Sequence, residues 1–170
     1  MKPPLPGVAP PELGEVTAMT VWPSIGSHPL GRLIGRLCAK RVGVGILTVG
    51  NFWALATIPL SLALYFWLRM PYLCKRYTLT NRRIIICKGL APRDEKWLEL
   101  EEFESCELEI LPGQEWLRSG DLVFHHGEIE VLRLAGVVRP HVFRGVCLTA
   151  QRALLSVRKI VHEQAAAAAE

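Results

Sequence analysis

From Val42 to Leu68 no side chain carries a charge, and Arg41 and Arg69 bracket the run. A stretch this long exceeds the 18 or so apolar residues that mark a membrane-crossing helix. As one helix it would be about 40 Å long at ~1.5 Å per residue, against a hydrocarbon core of ~30 Å. Tilt, or a kink near Pro59, absorbs the excess. The rival is a hairpin turning near Gly50-Asn51, which draws Lys40 and Arg41 into lipid at a cost of a few kcal/mol each. The pattern therefore predicts one tilted transmembrane helix over residues 42–69. Trp53, Tyr65, Trp67 and Tyr72 supply aromatic side chains suited to an interface. A cleavable signal is not expected, because Arg69 and Met70-Pro71 stand where small residues would be needed.

The flanking patterns differ. Residues 1–27 are rich in proline and small residues and keep no period, which predicts a flexible lead-in. Over 28–41, Leu30, Leu33, Ile34 and Leu37 recur at helical spacing, with Arg32, Arg36 and Lys40 on other positions. This predicts an amphipathic basic helix lying at a membrane surface, although a helix docked on the soluble part has the same pattern. After residue 75 the period becomes two. "RYTLT" and "RIIICKG" flank a turn at Thr80-Asn81-Arg82. "KWLELEEF", "SCELEIL", "GDLVFHHG" and "EIEVLRL" follow, with Ile129, Val131 and either Leu132 or Leu134 facing inward. About six short strands at regular spacing indicate a barrel or sandwich. At Arg139-Pro140 the period changes again. Val142, Phe143, Val146, Cys147, Ala150, Leu154, Val157 and Val161 then mark one face of a helix. A curled antiparallel sheet with one end plugged by that helix fits this order, over residues 72–162, before a low-complexity tail at 163–170.

Composition adds little chemistry. A net charge of +4 is modest for the 170 residues, and the basic residues cluster beside the apolar run, so nucleic acid is not an expected partner. Cys38, Cys74, Cys87, Cys106 and Cys147 are scattered, form no CxxC pair and are odd in number. They are expected as small buried hydrophobes rather than disulfides or a zinc site. "GVGVG" lacks a preceding strand and a third glycine in step, so it is no dinucleotide signature. His125 and His126, adjacent on a strand, face opposite ways and cannot share one metal. Glu99, Glu101, Glu102, Glu104, Glu107 and Glu109 fit a solvated sheet face better than acid–base catalysis. No catalytic residue, metal or cofactor is expected.

"RYTLTNRRIIICKGL", "GDLVF" and "LAGVVRPHVFRGVCL" resemble the bacterial pleckstrin-homology-like domain family, in members that follow transmembrane helices. Tyr77, Leu79, Thr80 and Arg83 match its first strand and turn. Gly120 and Asp121 match a strand start. Leu134, Gly136, Val137 and Pro140 match the approach to the final helix. The resemblance covers about residues 72–160. It implies a small curved sheet capped by a helix and no enzyme activity, while phosphoinositide binding does not carry over.

The expected fold is thus membrane-anchored and mainly β, an α+β chain with an N-terminal transmembrane helix ahead of a PH-like sheet. The expected function is a module that binds lipid headgroups or protein partners at the cytoplasmic face of the inner membrane. The alternative is an accessory subunit of a membrane complex, with Gly43, Gly45 and Gly50 permitting close helix contact. Lys75, Arg76, Arg82, Arg32 and Arg36 are the candidate lipid contacts. Trp116 and Arg118, in the loop "LPGQEWLRSGDL", are the candidate partner contacts. Membrane lipids are the expected partners, with other membrane proteins or self-association left open.

Overall fold

The computed structural model describes residues 14–40, 43–44, 47–70, 74–89 and 93–167. Two antiparallel sheets hold most of the core. One has the order β1 (Thr17–Val21), β4 (Lys75–Thr80), β5 (Arg83–Lys88) and β6 (Arg93–Glu99). The other joins β7 (Ser105–Glu109), β8 (Ser119–His126) and β9 (Ile129–Val138). Between β1 and β4 the chain makes a short 3-10 turn (Ile25–Ser27), α1 (Pro29–Cys38), the tiny pair β2 (Gly43–Val44) and β3 (Leu47–Thr48), then α2 (Val49–Ala56) and α3 (Ile58–Leu68). The final helix, α4, runs from Pro140 to Ala167.

Alternation puts Tyr77, Leu79, Ile84 and Ile86 of the β4–β5 hairpin into one cluster with Leu98, Leu122, Phe124 and Leu134. Phe103 meets Phe124 edge to face at 4.9 Å. Phe143 and Cys147 of α4 are fully buried against the same cluster. The inward phase of β9 is Leu132 and Leu134, whereas Ile129 and Val131, expected inside, are exposed. The pairing of β8 with β9 shifts register between Phe124 and His125, and such a shift resets which residues face the core.

The lead-in is not featureless. Residues 1–13 lie outside the described residues, but Thr17–Val21 forms edge strand β1 on β4, with Val21 opposite Tyr77 and Thr17 opposite Thr80. Side chains fasten it. Arg83 donates twice to the Glu15 carboxylate, at 2.7 Å each, and the Val16 N–H donates to Asn81 Oδ1. A sheet that includes β1 therefore begins well before residue 72.

The apolar run does not form the single helix expected over 42–69. Among the described residues no single helix is long and apolar enough to cross a membrane. Instead α2 and α3 meet at 52°, and only together do they have the length and composition of a span. Pro59 explains the break: it has no N–H to give to Leu55, and its ring clashes with that carbonyl. Thr57, at the joint, turns its hydroxyl back onto the Trp53 carbonyl at 2.7 Å. The segment also leaves β1 and returns to β4, neighbours in one sheet. Its two ends thus return to the same end of the sheet, with Val21 opposite Tyr77.

Candidate functional site

The 22–28 segment is where the β domain meets the apolar helices. A buried polar latch fixes it. Gln114, with no exposed surface, donates to Asp121 Oδ1 at 2.6 Å and to the Gly26 carbonyl at 3.2 Å. Asp121 Oδ1 also accepts the Gly136 N–H at 2.8 Å, and the Gly136 carbonyl accepts the Ser24 N–H. Gly136 has φ +64°, and a Cβ there would lie 2.5 Å from the Ser27 nitrogen. Only glycine allows both the backbone angle and that approach. Asp121 and Gly136 are motif positions, so part of the motif is a device for holding this segment.

α1 docks beside the latch through glycines rather than through its leucines. A Cβ on Gly35 would lie 2.0 Å from the Gly113 carbonyl oxygen, and one on Gly113 would lie 2.1 Å from that of Arg32. Gly31, Ile34, Gly35 and Cys38 are buried, while Leu30 and Leu33 remain exposed.

Between this segment, α3 and the end of the sheet lies a cavity of about 1160 Å³. Apolar side chains of Ile58, Leu62 and Leu68 form one wall, and Trp22, Trp67 and Trp116 border it. Arg69, Lys75, Arg139 and His28 also line it; no Asp or Glu does among the described residues. The Arg69 guanidinium lies over the Trp22 ring at 4.8 Å and the Tyr65 ring at 5.2 Å. Two aromatic faces thus hold it while its N–H donors stay available. Arg139 has φ +50°, rare without glycine, and its N–H donates to the Arg118 carbonyl, itself at φ +49°.

The expected contact residues are divided by this geometry. Lys75 borders the cavity, and Arg76 lies 5.9 Å from the Trp22 ring. Arg82 is in the β4–β5 turn, separated from Lys75 by the length of β4, about 17 Å at ~3.3 Å per residue. Arg32 and Arg36 belong to the docked helix, and Arg36 Nε donates to the Pro112 carbonyl at 3.1 Å. Trp116 is half-exposed on the cavity rim, and Arg118 is exposed beside it. Trp22, His28, Arg69 and Arg139 were not singled out by sequence. In the sequence Arg69 marks the end of an apolar run and bars a signal cleavage site, and Arg139 is the residue before a helix.

Of the glycines expected to permit close helix contact, only Gly50 is seen to do so, bringing α2 against the C-terminal end of α1. Gly43 is in β2, Gly45 lies outside the described residues, and a Cβ on Gly50 would lie 2.5 Å from both the Cys38 and Lys40 carbonyl oxygens. All five cysteines are free and buried. Burial pushes the Cys106 thiol up to about 11 and raises Cys147 as well, so both stay protonated at neutral pH. Burial likewise pushes the Tyr77 phenol up to about 12, and its hydroxyl donates to the Ala135 carbonyl at 3.0 Å.

A family model described as "Bacterial PH domain" matches residues 39–153, from the end of α1 to midway along α4. No curated protein and no solved structure matches the chain.

Proposed function

The chain belongs to the bacterial PH domain family, and from that membership we propose that it is a membrane-anchored, non-enzymatic module binding lipid headgroups or protein partners. The observation that carries this reading is the surface of α2 and α3. Phe52, Leu55 and Phe66 expose 72%, 73% and 66% of their surface, with Leu60, Leu62 and Trp67 also exposed. Contiguous apolar surface of this kind marks a contact with membrane or protein.

The mode of anchoring is a re-entrant one. α2 and α3 measure about 12 and 16 Å at ~1.5 Å per residue, each well short of a ~30 Å core. Both ends of the segment return to the β1–β4 edge, so the bent pair enters and leaves one leaflet. Lys75 and Arg76 on the return contribute roughly 1 kcal/mol each against an anionic leaflet. Their position supports a β domain on the cytoplasmic face of the inner membrane.

Flotation of the full-length chain with phosphatidylcholine vesicles tests the anchor. The wild type is expected to float. The triple variant Phe52→Glu, Leu55→Glu, Phe66→Glu is expected to stay in the dense fraction with its sheet signal intact, since a charge deep in lipid costs about 2.5–3.5 kcal/mol. A wild type that remains dense, or a triple variant that floats, contradicts the anchor.

The reading as an accessory subunit draws support from Leu155, Ile160 and Val161 on the outer part of α4, which are exposed. Native purification in mild detergent separates the two, because a monomer argues against a stable complex.

A further inference from the structure

We infer that the cavity between α3 and the β domain is a binding site for an anionic phospholipid drawn from the host leaflet. This rests on the anchored reading and names its ligand.

The cavity has the two chemistries of such a molecule. Ile58 and Leu62 line it, with about half of their surface exposed. That wall offers an acyl chain an apolar surface to lie against. Arg69, at the C-terminal end of α3, lines it as well, as do Arg139, Lys75 and His28.

The charges are uncompensated. Three arginines elsewhere do find carboxylates: Arg83 with Glu15, Arg133 with Glu109 and Glu130, and Arg158 with Glu101. Among the described residues, Arg69 and Arg139 have no such partner, and no carboxylate lines the space they face. Lys75 also borders a neighbouring groove with Glu95, so the arginines carry most of the selectivity. Guanidinium groups match phosphate oxygens with paired donors, and a wall that excludes water strengthens the contact. Trp22 and Tyr65 preset Arg69, which lowers the ordering cost of that grip. A zwitterionic lipid brings its own cation into this cluster and is disfavoured. A free phosphate leaves the apolar wall unfilled.

The test uses the full-length chain in vesicles of phosphatidylcholine containing a minority of phosphatidylglycerol. Each preparation is extracted in nonionic detergent, and the lipid retained per chain is read by native mass spectrometry. Flotation on pure phosphatidylcholine runs beside it. The wild type should retain phosphatidylglycerol in preference to phosphatidylcholine. Arg69→Gln with Arg139→Gln should float as well as wild type but retain about fivefold less phosphatidylglycerol per charge removed. Arg69→Lys with Arg139→Lys should recover part of that loss. Ser61→Trp, which fills the cavity without changing charge, should also reduce retention. Arg82→Gln, at the far end of β4, should leave it unchanged. Equal retention of both lipids, or undiminished retention by the double Gln variant, overturns the site while flotation still reports on the anchor. A chain that fails to float yet retains phosphatidylglycerol overturns the anchor and leaves the site standing.

Discussion

The β core and the α2–α3 pair are built from similarly apolar residues and meet opposite fates. In the core, Leu79, Ile84, Leu122 and Phe124 have no exposed surface. In the helical pair, Phe52, Leu55 and Phe66 keep two thirds or more of theirs. The difference lies in pattern. Each strand turns alternate residues, such as Ile84 and Ile86 of β5, to one face, and a second sheet with a capping helix covers it. Helices that are apolar all round cannot be covered by one neighbour and need an apolar surround. The molecule thus covers its apolar surface internally in one region and leaves it exposed in the other.

Truncating one residue in each region sharpens this contrast most. Phe124→Ala should destabilise the chain by about 3–5 kcal/mol in detergent solution. Leu55→Ala should cost less than about 0.5 kcal/mol, as expected for a side chain without internal partners. Chemical denaturation of both variants checks this, and equal costs would erase the distinction between the regions.

A smaller effect concerns the strand that joins them. The Arg83 hydrogen bonds hold the Glu15 carboxyl below its ordinary value of 4.5. Its folded pKa is depressed, so the stabilisation is present above about 4.5 and is lost as pH falls through the folded value. Hydrogen exchange at the β1 amides should accelerate over that acid range in the wild type and lose this pH dependence in Glu15→Gln. Parallel profiles in the two proteins would show that the pair does not fasten β1.

What sequence made legible was local. The β4–β5 hairpin and the start of α4 at Pro140 follow from short-range periodicity, and the same motifs identified the family. Strand β1 was missed because five residues after a proline-rich lead-in show no period, and their pairing partner is some 60 residues away. The phase of β9 was missed because register shifts in the β8–β9 pairing break simple alternation. The apolar run was legible as composition but not as shape, since Pro59 and the Thr57 cap decide the bend. The candidate site was the least legible part. Trp22, Arg69, Trp116 and Arg139 come from four separate segments and converge only once the latch of Gln114, Asp121 and Gly136 closes. Adjacency also misled: Arg82 follows Lys75 and Arg76 closely in sequence, but the hairpin carries it to the opposite end of the strand.

The central claim is that the apolar segment enters and leaves the membrane on one face. Protease protection in sealed, uniformly oriented vesicles tests it most directly, with epitope tags at the N- and C-termini of the full-length chain. Both tags should be cut from the same side, or both protected. One tag cut and the other protected would establish a single crossing and contradict the β1–β4 pairing on which the account rests.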